Sequence, residues 1–293
     1  MNPSNVIVAR HEALRGAASA AVLQMVSRRG LSTPKGVTQA AEVVDKLDDF
    51  ASDFADPAAP ALPTSPEDVE RILTDAAKRR ITAAATRSIA AELRPAGVAR
   101  LNAEVRTAGA AWVGSLCKEF GNLIGTLRTA APTAPRCGAD EVSQLGPAQF
   151  QLWSAVTNTV LALEEIVSDR GVLAQLLGEP RPSHWGSIVP LIAAVAPPSG
   201  TNSEVHKGFQ ERVEIRHTSE VADVTTRWYG WLALEQRGWL QLALAPAGEV
   251  AARIALINSW PAAFQSLSIR DGGASFQAAV ADSGRTWQTV GAS

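Results

Sequence analysis

SPEDVERILTDAAKRRITAAATRSIAAELR, residues 65–94, is the stretch on which the reading of this chain turns. Ser65 offers an N-cap, Pro66 suits the first helical position, and Glu67 and Asp68 stand at the positive end of the helix dipole. These signals predict a helix from Pro66 to about Arg94. Pro95 lacks the N–H that would continue it, so a second helix is expected from Pro95 to Pro132. On that second helix Val98, Leu101, Val105, Trp112, Leu116, Phe120, Leu123 and Leu127 keep helical spacing, and Gly109, Gly121 and Gly125 leave flat spots for a neighbouring backbone.

Upstream, Ala55 to Pro66 is an extended Pro/Ala connector carrying Pro57, Pro60, Pro63 and Pro66. Before it, Ala40, Val44, Leu47, Ala51 and Phe54 step by four and three along a seam suited to a partner helix. Leu14, Ala18, Val22 and Met25 mark an earlier helix between about Val6 and Arg29. Arg10, Arg15, Arg28 and Arg29 flank an Ala-rich stretch from Gly16 to Val26, a loosely leader-like pattern that is not expected to be a leader sequence.

Downstream, a loop from Pro132 to Pro147 precedes an amphipathic helix bearing Leu152, Val156, Val160, Leu163 and Val167. Beyond Gly200 the period shortens. Val213–His217 alternates, and Trp228–Leu234, Gln236-Arg237-Gly238 and Leu240–Leu244 read as strand, turn and strand. A helix is expected from Gly248 to Asn258, with hairpin turns at Asp271-Gly272-Gly273 and near Asp282. The expected fold class is mainly α, with a helical N-terminal two thirds and a smaller α+β C-terminal region. The expected divisions are residues 1–54 (N-terminal helices), 55–66 (linker), 67–200 (helical core domain) and 201–293 (mixed region).

The 293 residues include 52 Ala, 22 Ser and 17 Pro, with 46% hydrophobic and 19% charged residues. That balance excludes wholesale disorder. It also predicts stability from many close helix contacts rather than large aromatic anchors. Cys117 and Cys137 form no C-x-x-C pair and are too few for a disulfide framework. The best apolar run, Ile188 to Ala196, is too short to span a membrane, so no membrane partner is expected.

Charge is arranged in alternating blocks. Lys+Arg against Asp+Glu is 5 to 1 over residues 1–35, 1 to 9 over 36–70, 11 to 4 over 71–136 and 10 to 15 over 137–293. Such a chain can meet copies of itself, basic block against acidic block. Within the basic block Arg80, Arg87 and Arg94 recur every seven residues on a floor of alanines, and no carboxylate of their own helix is placed to pair with them. With Arg79, Arg100 and Arg106 they form the candidate nucleic-acid-binding set, able to meet a phosphate backbone or an acidic protein face. Aromatic residues for base stacking are missing nearby, which argues against sequence-specific single-strand reading.

No G-x-S-x-G, Walker A, G-x-G-x-x-G or H-E-x-x-H motif occurs, so no catalytic residue, metal ligand or cofactor is expected and the chain is read as non-enzymatic. His206 and His217 with Glu204, Glu211 and Glu214 match no ligand spacing. Glu164-Glu165 reads as surface charge. Asp282-Ser-Gly284-Arg-Thr286-Trp287 resembles part of an Asp-box, the hairpin motif of sialidase-like propellers, and implies a tight turn backed by Trp287.

The Ala/Pro/Ser-rich composition, the Pro/Ala stretch Ala55 to Pro66 and the charge blocks resemble the Pro-Ala-Ser-rich proteins of polymycoviruses. That resemblance is compositional and spans the whole chain. It implies a viral structural protein that coats or associates with a double-stranded RNA genome in many copies, located in the virion and the host cytoplasm. The expected function is therefore self-assembly as a homo-oligomer, with contact to nucleic acid backbone through the arginine-lined helix. The alternative is a helical protein-interaction scaffold, or a phage head or tail component, without nucleic acid binding.

Overall fold

The computed structural model describes residues 18–53, 60, 65–137, 139–180, 188–196, 204, 207, 208, 210 and 213–266. The fold is mainly helical, with a long helical N-terminal part and a small two-stranded sheet nearer the C-terminus. The elements are α1 (Ala18–Arg28), α2 (Lys35–Asp53), α3 (Pro66–Ala130), a 3-10 turn (Ala139–Gln144), α4 (Pro147–Leu177), α5 (Val189–Ile192), β1 (Ala193–Val195), α6 (Val213–Glu220), α7 (Val224–Gln236), β2 (Leu240–Leu242) and α8 (Glu249–Ser266). The chain forms two compact units, Met1–Ala108 and Gly109–Ser293. Their division falls inside α3, within the stretch read from sequence as one core domain.

Pro95 does not end a helix. It lies inside α3, which runs through 65 residues without interruption. Proline removes one hydrogen bond, to the carbonyl four residues back, and leaves the others intact. Ala91 and Pro95 are both exposed, so water can take that carbonyl.

In the first unit α2 runs antiparallel to α3. Val44 and Leu47 approach Gly97, where an added Cβ would come within 3.3 Å of Leu47, and Gly36 lies against Glu104. Small residues set this seam. Ala40, Ala41 and Val44 on α2, and Ala83, Ala90, Leu101 and Val105 on α3, are buried, beside Val22, Met25 and Val26 of α1. Low side chains let two helix backbones approach closely, which is how an alanine-rich segment makes a core. The expected seam residue Ala51 is exposed, and Phe54 lies outside the described residues, as does nearly all of the Ala55–Pro66 connector.

The second unit is built differently. Trp112, Phe120, Trp228 and Trp231 are fully buried, with Phe120 and Trp228 centroids 6.0 Å apart and Trp228 and Trp231 edge to face at 4.9 Å. Large rings anchor this core, contrary to the expectation from overall composition. Gly109 packs beneath Leu177, as a flat spot should, whereas a Cβ at Gly121 or Gly125 would meet no atom among the described residues.

Two expected strands are helices. Val213–His217 lies in α6 and Trp228–Leu234 in α7. Asp223 caps α7 by accepting from the Thr226 N–H at 2.6 Å, and Trp228, Trp231 and Leu232 then fall on one helical face. Gln236-Arg237-Gly238 is the end of that helix rather than a hairpin turn. Gly238 takes φ +73°, which favours glycine, and the Trp239 N–H reaches back to the Leu234 carbonyl. Leu240–Leu242 is a strand, but it pairs antiparallel with β1, Ala193 opposite Leu242 and Val195 opposite Leu240. The expected turns near Asp271 and Asp282 lie outside the described residues.

Candidate functional site

At 3.6 residues per turn, Arg80, Arg87 and Arg94 share one side of α3, the side on which Ala83, Ala90 and Leu101 are buried. The heptad that aligns the arginines is thus the heptad of the helix seam. Arg94 meets α2 directly: its Nε donates to Asp48 Oδ1 at 2.6 Å and its Nη2 to Oδ2 at 3.3 Å. This hydrogen-bonded carboxylate raises the guanidinium pKa above its ordinary value. Arg87 is half-buried and Arg80 exposed.

Arg79, Arg100 and Arg106 are exposed and spread around the remaining circumference of α3. The six arginines therefore do not converge on one track. At the helix start Arg71 pairs with Asp68 at 2.7 Å. Ser65 Oγ also donates to Asp68 Oδ2. The Glu67 carboxyl is held below its usual range by its own backbone N–H and by Ser65.

Where α2 ends, the α2-facing side of α3 continues toward its N-terminus through Ala76, Ile72 and Val69. On this continuation Val69 and Leu73 stand in solvent, at 40% and 59% exposure. Isolated exposed apolar residues are ordinary, and these two stand in line with the buried seam, beside the half-buried Ile72 and Ala76.

The polar groups of the second unit are gathered around three ties that sequence spacing does not show. Glu164, expected as surface charge, accepts from Arg227 Nη2 at 2.9 Å and from the buried Trp228 indole at 2.7 Å. Glu235 receives both Nε and Nη2 of Arg128 and also the Leu242 N–H. Arg170, fully buried, forms a two-pronged pair with Glu179 and donates to the carbonyls of Ala245 and Pro246. Arg253 reaches the Ala243 carbonyl and Cys117 the Leu244 carbonyl. Burial pushes the Cys117 thiol up and the Arg253 guanidinium down from their ordinary values.

The second unit also holds a cavity of about 600 Å³, walled by Trp153, Val156, Thr157, Tyr229 and Gly230, with Arg136 and Cys137 beside them. Arg136 stacks on the Tyr229 ring, its Cζ 4.7 Å from the centroid. The Tyr229 hydroxyl and Thr157 Oγ1 are buried and make no hydrogen bond among the described residues, a condition that costs about 1–3 kcal/mol for each group. Burial pushes the Tyr229 phenol up from its ordinary value, opposed by Arg136, and keeps it a neutral donor at physiological pH. Phe150 stacks on Trp153, with centroids 6.1 Å apart.

No metal-binding group of three or more His, Cys, Asp or Glu side chains occurs among the described residues. Glu214 is paired with Arg237 at 2.9 Å, and His217 is exposed on α6; His206 and Glu211 lie outside the described residues. Among the described residues no helix is long and apolar enough to cross a membrane. Compared with family models, curated proteins and solved structures, the chain matches none.

Proposed function

We propose that the chain is a non-enzymatic structural protein of the coat or scaffold class, which self-associates through helix faces of its N-terminal unit and makes its principal contacts with protein. The observation that carries this reading is the seam of α3. Its basic heptad is engaged at Arg94 by an acidic residue of the same unit, while its apolar line continues past the end of α2 with Leu73 exposed. A second copy supplies both the apolar side chains and the acidic charge that such a face takes up.

Contact with nucleic acid backbone is the second reading, and the exposure of Arg79, Arg80, Arg100 and Arg106 favours it. Light scattering of the full chain separates the two. Self-association predicts a mass above the monomer without RNA, and the exposed-site double variant Val69→Glu/Leu73→Glu should reduce it while helical circular dichroism is unchanged. A monomeric mass at all concentrations would reject this reading. A mass that rises only with duplex RNA, falls steeply with salt and is lost in the Arg79/Arg80/Arg100/Arg106→Ala variant would establish the second.

A further inference from the structure

The cavity of the second unit plays no part in helix association, and its chemistry is specific. Its volume of about 600 Å³ lies within the range of small-molecule sites. Trp153 and Tyr229 give it flat ring surfaces, and Pro135, Val156 and Ala233 add apolar wall. Asp223, the one carboxylate among the lining residues, accepts the Thr226 N–H at 2.6 Å and sets its negative charge against the positive N-terminal end of α7. Arg136 stacks on Tyr229 and has no carboxylate partner among the described residues, so no contact ion pair takes up its positive charge. The Tyr229 and Thr157 hydroxyl oxygens lie behind this surface, closed to solvent and without a hydrogen-bond partner among the described residues.

From this set we propose that the cavity binds a small aromatic carboxylic acid as its anion. The ring lies against Trp153 and Tyr229, and the carboxylate is held by the Arg136 guanidinium. A cationic ligand would face the Arg136 guanidinium, while the Asp223 charge is already set against the N-terminal end of α7. A wholly apolar ligand would leave the Arg136 guanidinium without a partner, whereas carboxylate oxygens accept from it.

The test titrates the full chain with 1-naphthoate by calorimetry, beside uncharged 1-naphthylmethanol of the same ring size. The expected result is saturable one-to-one binding of 1-naphthoate, with the alcohol at least tenfold weaker. Arg136→Ala should weaken the acid at least tenfold and leave the alcohol within twofold. Arg136 is exposed, so its loss should not unfold the chain. Ala233→Phe, which fills the cavity from an exposed position, should abolish binding of both compounds, with unchanged circular dichroism as the folding control. Absence of saturable naphthoate binding, equal affinity for acid and alcohol, or wild-type affinity in either variant would overturn the proposal.

Discussion

Arg170 makes four hydrogen bonds from a position with no solvent exposure, two to the Glu179 carboxylate and one each to the carbonyls of Ala245 and Pro246. Glu179 is equally committed, since its Oε1 also accepts the Gly248 N–H at 2.8 Å. A buried pair of this kind resists removal of either partner more than removal of both, because a lone buried charge has no solvent to screen it. Arg170→Ala should lower the unfolding free energy by about 3–5 kcal/mol. The double change Arg170→Met/Glu179→Leu should lose less than that single change. Urea unfolding of the three proteins checks the ordering, and a loss below about 1 kcal/mol in Arg170→Ala would contradict it. None of this is legible in the sequence. Arg170 and Glu179 are nine positions apart, and their meeting depends on the left-handed turn at Gly178, φ +69°, which sends the chain back past the end of α4.

Among the elements, α3 shows how a local rule can fail without being wrong. A proline in a helix interior costs about 3 kcal/mol, and the sequence offers no reason why Pro95 should be exempt. The exemption lies in its setting, because Gly97 is packed on Leu47 and Arg94 is held by Asp48 on either side of it. Tertiary contacts carry the helix across the gap. Pro95→Ala restores the missing N–H at an exposed site and should raise stability by roughly 1–3 kcal/mol. Thermal and urea unfolding measure this, and a destabilised variant would show that the proline is needed where it stands. Long periodic runs were readable in large part: Val22 and Met25 of α1, Ala40 and Val44 of α2, Leu101, Val105, Trp112, Leu116, Phe120 and Leu127 of α3, and Val156, Val160, Leu163 and Val167 of α4 are buried, whereas Ala51 and Leu152 are exposed. Short alternations were not, since Val213–His217 is too brief to separate period 2 from period 3.6. The Asp223 cap and the Trp228, Trp231, Leu232 spacing were the signals that would have assigned α7 to helix.

For the molecule as a whole, one composition serves two kinds of core. The first unit builds its interior from Ala and Val on closely approaching helices, and the second sets Trp and Phe rings among aliphatic side chains. Average composition describes the first and conceals the second, because eight Trp in 293 residues say nothing about where they gather. The charge blocks were legible as complementary, and the Arg94–Asp48 pair shows the acidic and basic blocks meeting. Sequence could not say that this meeting lies inside one chain, because it fixes how much charge each block carries and not which surfaces fold together.

Between β2 and α8 four successive carbonyls, from Ala243 to Pro246, accept from Arg253, Cys117 and Arg170, while Gly248 donates to Glu179. A connector without regular structure is usually the first part of a fold to open. This one is stitched at nearly every peptide unit by side chains rooted in three helices. Its amide protons at Ala243, Ala245 and Gly248 should therefore exchange with deuterium as slowly as those of the neighbouring helix α4. A tag or cleavage site inserted there, at what looks like an expendable bend, would undo the whole C-terminal unit rather than decorate it.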